Sequence, residues 1–173
     1  MDETYISDTD LSKGYGRARK RGLTRQKLCI CVAIDVHKNP VVVVSDHGKP
    51  CSARVRKAMG GRIAPGSLLI YDLERAHNAL VRDGRLDSEA HRVDVNDPVY
   101  LERMEMVNDL CSWLKRCLLR FTGMSPRNQQ AHLDLYVYLF RVNQARDRWD
   151  LTEKVACNIL VEDVTYRCLR QVR

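Results

Sequence analysis

Two short apolar runs joined by a turn constrain this chain most. LCICVAIDV (28–36) is rich in β-branched residues and too short for a typical helix, so it reads as a buried strand. HKNP follows, and Asn39-Pro40 favours a turn. PVVVVSD (40–46) is a second strand, closed by Gly48. A hairpin of this kind demands a sheet around it. The opening residues MDETYI, with Thr4, Tyr5 and Ile6, supply a further strand that carries carboxylates.

Beyond the hairpin the pattern alternates. SARVRKAM (52–59) is helix-like, with Ser52 as its expected N-cap and Gly60-Gly61 as its stop. LLIYD (68–72) is a short apolar strand ending on an acid, ERAHNALVRDG (74–84) a helix ended by Gly84, and HRVDV (91–95) a last strand. In LERMEMVNDLCSWLKRCLLRF, residues Val107, Leu110, Cys111, Leu114, Cys117, Leu118 and Phe121 recur on one helical face, with Lys115, Arg116 and Arg120 off it. Gly123 stops that helix, and Ser125-Pro126 begins another that buries Leu133, Tyr136, Val137 and Phe140. Two shorter amphipathic pieces, 151–160 and 162–171, complete the chain. The order predicts an α/β fold: a mixed sheet flanked by helices, with a helical C-terminal part. Such an order fits a ribonuclease H-like fold if MDETYI is the first strand.

With 173 residues, one substantial core is expected. No apolar run is long enough to span a bilayer, and the acidic, polar start is unlike a signal peptide. The seven cysteines are odd in number, which favours free thiols and a cytoplasmic setting. Cys29 and Cys31 form C-x-C within a strand; without a second pair they read as small buried hydrophobes, not zinc ligands.

The net charge of +7 is concentrated. Lys13, Arg17, Arg19, Lys20, Arg21, Arg25 and Lys27 lie in one acid-free stretch with three glycines. Such an arm suits a phosphate backbone, and a solvated loop is its plain alternative. Asp72 also has two readings. A strand-terminal acid can help a second carboxylate hold Mg²⁺ or Mn²⁺, or it can cap the helix that follows.

MDETYI, RKRGLTRQKLCICVAID, GGRIAPGSLLIYD and VNDLCSWLKRCLLRFTGMSP, in this order, resemble bacterial insertion-sequence DDE transposases of the ISXO-like group. The resemblance runs from residue 1 to about 142, which would form the catalytic core, with 143–173 as a helical extension. It implies a ribonuclease H-like fold, a Mg²⁺ or Mn²⁺ cofactor, and metal-dependent DNA cleavage and transfer. Transposon ends and target DNA would be the partners, with no membrane association. Asp2 matches the first catalytic aspartate and Asp72 the second, although Tyr71 and Leu73 flank it and His77 stands where the family has tyrosine. At the third position, where many members read N-x-x-E, Asn108 matches the asparagine and Cys111 replaces the glutamate.

Catalytic roles are therefore expected for Asp2, Asp72, Asn108 and Cys111, metal ligation for Asp2, Asp72 and Asn108, and DNA contacts for the basic stretch with Lys115 and Arg116. Because a neutral thiol is a poor Mg²⁺ ligand, the expected site is weakened. The family carries DNA-reading segments upstream of this strand, so the resemblance is to a truncated core. A frayed first strand would place Asp2 poorly, and a nearby terminal ammonium would compete with a cation. Two other readings are a non-catalytic nucleic-acid-binding remnant and a small protein that homo-oligomerises through its helical tail.

Overall fold

The computed structural model describes residues 1–7, 27–121, 128–144 and 148–161, without the side chains of 148, 154 and 157–161. β1 (Asp2–Ser7), β2 (Lys27–Ile34) and β3 (Pro40–His47) form an antiparallel sheet in that order. Pairing holds β1 along its whole length, from Asp2 opposite Val32 to Ser7 opposite Lys27, so Asp2 is not on a frayed strand. β4 (Leu68–Asp72) and β5 (Asp87–His91) form a parallel pair. The Met1 amino group donates to the Ile70 carbonyl at 2.6 Å and brings the start of β1 beside β4. The result is mixed α/β, with both strand senses present.

Side chains alternate across a strand, so β2 and β3 each feed two cores. On one face Ile30, Val32 and Val42 pack with Met104, Leu110 and Leu114 of α3 (Pro98–Leu118) and Leu133 of α4 (Gln129–Asn143). On the other, Cys31, Val41 and Val43 pack with Val55 and Met59 of α1 (Ser52–Met59) and Leu80 of α2 (Asn78–Gly84). A final helix, α5, covers Arg148–Val161. The outer edge of β3 is not left bare. Gln130 of α4 accepts from the Val44 amide at 2.9 Å and donates to the Val42 carbonyl at 3.1 Å, which satisfies groups that an edge strand would otherwise expose.

The hairpin turn rests on Asp35. Its carboxylate accepts from the His37 amide, the Asn39 amide and the Asn39 side chain at 2.7–2.9 Å. Slight desolvation pushes this carboxyl up, but the bonds from Asn39 and His37 outweigh it and hold the pKa below the usual carboxylate range. A depressed folded-state pKa contributes stability above the unfolded value, about 3.9, and loses it as pH falls through the folded value. Asp35→Ala should cost about 1 kcal/mol at neutral pH, with the difference from the parent fading in acid. Urea denaturation at pH 7 and near pH 3 checks this; a pH-independent difference would mean the carboxylate charge plays no part.

Several local expectations need correction. Cys51, not Ser52, occupies the cap position of α1, and no side chain caps it. The 74–84 segment is not one helix: a 3-10 turn spans Arg75–His77, and α2 follows. Gly84 is the last helical residue, and Arg85 takes the left-handed position after it with φ 52°. The last strand is Asp87–His91, not 91–95. Asp97 caps α3 by accepting from the Val99 amide, with Pro98 in the first turn, a start signal the sequence reading passed over. The expected Gly123 stop, the Ser125-Pro126 start and the 162–171 helix lie outside the described residues. Among the described residues, no helix is long and apolar enough to cross a membrane.

Candidate functional site

Asp2 and Glu3 are neighbours on β1, so their side chains leave the sheet on opposite faces. Asp2 turns towards α3. Its Oδ1 accepts from the Glu3 amide at 2.7 Å, and its Oδ2 lies 3.9 Å from Cys111 Sγ. Glu3 turns towards the other layer and meets His77 Nε2 at 2.7 Å. Asp72 ends β4 beside both. The chain turns directly after it, with the Glu74 amide donating to the Asp72 carbonyl. Neither the 3-10 turn nor α2 has a side-chain cap, so Asp72 is not the N-cap that one sequence reading allowed.

Burial and like charge act together on these acids. Desolvation first, then the charge of Asp72, pushes the Asp2 carboxyl up against the opposing bond from the Glu3 amide. Desolvation and the Glu3 charge push Asp72 up. Each departure disfavours the bare carboxylate and makes a bound cation more welcome. Cys111 is pushed up to about 12 by burial and by Asp2, so at neutral pH it is a protonated thiol. For His77, burial disfavours the imidazolium. The Glu3 hydrogen bond and the charges of Glu3 and Asp72 outweigh burial and hold its pKa above the ordinary value.

The structure therefore sets Asp2 beside Cys111 and within range of the charge of Asp72, which ends β4 of the second sheet. Lys115, one turn beyond Cys111, lies close enough for its charge to favour ionised Asp2. Asn108 is half-buried and forms no hydrogen bond with either aspartate among the described residues. Arg116 is exposed on the last turn of α3, and Lys27 opens β2. Lys13, Arg17, Arg19, Lys20, Arg21 and Arg25 lie outside the described residues. Cys29 and Cys31 are buried free thiols.

Compared with family models, curated proteins and solved structures, the chain matches none.

Sequence reasoning missed two residues. Glu3, Asp72 and His77 each offer a ligand atom, and these atoms all lie within 4.8 Å of one another. Adjacent acids on a strand must face opposite ways, which was enough to separate Glu3 from Asp2. Nothing local marks His77; its place under the end of β4 depends on the turn that Asp72 begins.

Proposed function

We propose that this chain is a ribonuclease H-like core of the DDE transposase type, built for metal-dependent cleavage and transfer of DNA strands. The observation that carries the reading is the approach of Asp2 on β1 to Asp72 at the end of β4, beside Cys111 of α3. Support also comes from the sheet. An antiparallel β1–β3 unit and a separate parallel β4–β5 pair, linked by the Met1 to Ile70 bond, supply both strand senses that such a fold combines.

A hard divalent cation suits the two aspartates. Both are partly desolvated, and the charge of Asp72 acts on Asp2. Cys111 does not suit it, because its neutral thiol offers no oxygen. Mg²⁺ or Mn²⁺ held there would supply activation of an attacking hydroxyl and stabilisation of a leaving oxygen. The chain's own part is to position the two carboxylates from β1 and β4, strands of separate sheets joined by the Met1 to Ile70 bond, with Lys115, Arg116 and the basic 13–27 sequence as the candidates for phosphate contacts. Incubating the protein with duplex DNA and Mn²⁺ tests the reading. Nicking that requires Mn²⁺ and is lost in Asp2→Asn is expected; cation-independent or absent nicking in the folded protein contradicts it.

The thiol at the third position favours one competing reading, a non-catalytic DNA-binding protein. That reading predicts salt-dependent DNA affinity, unchanged by Asp2→Asn, with no nicking. Cys111→Glu probes the same position. A third carboxylate crowding Asp2 should lower stability without metal, while Mn²⁺ affinity should rise about tenfold, worth roughly 1.4 kcal/mol. Unchanged affinity by calorimetry would mean that Cys111 does not face the cation.

A further inference from the structure

Among the described residues, His77 is a buried histidine held on one side only. It is 0 % exposed, and its Nδ1 has no hydrogen-bond partner. That atom faces Asp72 Oδ1, itself buried and without a partner, across 3.6 Å. The gap is too long for an N–H···O hydrogen bond. On the opposite side of the ring, Nε2 is held at 2.7 Å by Glu3, whose side chain is only 4 % exposed.

We propose that His77 Nδ1 and Asp72 Oδ1 are the protein ligands of a nitrogen-preferring divalent transition metal, of the Zn²⁺ or Co²⁺ class, with Glu3 as the partner that orients the imidazole. Two ligand atoms about 2.0–2.2 Å from one tetrahedral ion stand roughly 3.3–3.6 Å apart. The observed separation falls at the upper end of that span. Metal-bound histidines almost always donate their other N–H to a carboxylate, a backbone carbonyl or water, which fixes the tautomer and makes the ligating nitrogen more basic. Glu3 sits where that carboxylate belongs.

A plainer arrangement would be an imidazolium bonded to both carboxylates. It would draw Asp72 within hydrogen-bond distance, and here Asp72 Oδ1 stands apart. The two carboxylates that favour a second proton on the ring equally favour a cation in its place. Both ligand atoms are buried, and the Asp72 side chain is 23 % exposed, so water that completes the coordination would enter past Asp72. Imidazole suits Zn²⁺ and its neighbours, whereas Mg²⁺ seeks oxygen. This site shares Asp72 with the proposed Asp2–Asp72 pair but lies on the Glu3 face of the sheet, and it does not depend on DNA chemistry.

The test titrates Co²⁺ into the chelator-treated full chain and follows its visible absorption, with far-UV circular dichroism confirming the fold. The expected result is a low-coordinate nitrogen and oxygen spectrum without thiolate charge transfer. Binding should persist in Asp2→Asn, fall at least tenfold in His77→Gln, and fall ten- to a hundredfold in Glu3→Gln, the usual cost of losing an outer-shell carboxylate. If His77→Gln does not fold, Glu3→Gln, which keeps a hydrogen-bond acceptor, decides. No Co²⁺ binding by the folded parent overturns the proposal. So does a thiolate spectrum, or binding that is lost in Asp2→Asn and indifferent to Glu3→Gln. In that last case the Asp2–Asp72 pair would stand and the His77 site would fall.

Discussion

Asp72→Asn should abolish divalent-cation binding and reduce the proposed metal-dependent DNA nicking by ~100-fold or more, since even an outer-shell partner of a metal ligand is worth about 10–100-fold. The substitution is nearly isosteric. It keeps the β4–β5 pairing, in which Asp72 stands opposite His91 through the backbone. It removes the charge that Asp2 and His77 both sense. Because Asp72 is shared, both Mn²⁺ and Co²⁺ affinity should fall while DNA binding through the basic residues persists. Calorimetry with each ion, beside a salt series for DNA, reads all three quantities. Retained nicking would place the chemistry elsewhere in the chain.

Leu110→Ala should lower the unfolding free energy by about 2–5 kcal/mol, the usual range for removing a fully buried leucine. Leu110 has no exposed surface, and it packs between the sheet residues Ile30 and Val32 and α4. Its carbonyl also accepts from the Tyr136 hydroxyl at 3.4 Å, so α3 and α4 meet there through a polar contact as well. The next residue is Cys111, which lies against Asp2. A cavity at Leu110 should therefore loosen the site along with the core. The urea midpoint should drop with an unchanged slope. A loss below about 1 kcal/mol would mean that α3 settles freely onto the sheet and does not fix the position of Cys111.

The parts of the fold that follow from local period were legible in the sequence. β2 and β3 are continuous apolar runs, and α3 repeats apolar residues every three or four positions; Val107, Leu110, Cys111, Leu114 and Leu118 are all buried. β5 was misplaced because DSEAH has no strand-like composition. It is a strand only because Leu68–Asp72 pairs with it residue by residue, and that pairing is not local. The break of the 74–84 segment into a 3-10 turn and a helix likewise follows from the turn after β4.

At the site, Asp2, Asp72 and Cys111 were named from sequence, and the fold brings them together. Glu3 and His77 were given no role, although His77 was placed at the family's tyrosine position. Glu3 could have been found from strand alternation. The burial of His77 arises only when β1, β4 and the 75–77 turn meet. Asn108 shows the reverse: its spacing from Cys111 is helical, yet it joins neither aspartate by a hydrogen bond.

The most direct measurement is an anomalous difference map from crystals of this chain soaked in Mn²⁺. The account predicts one peak within about 2.2 Å of carboxylate oxygens of both Asp2 and Asp72. A peak bounded by Asp72 and His77 alone, or none near Asp2, would contradict it.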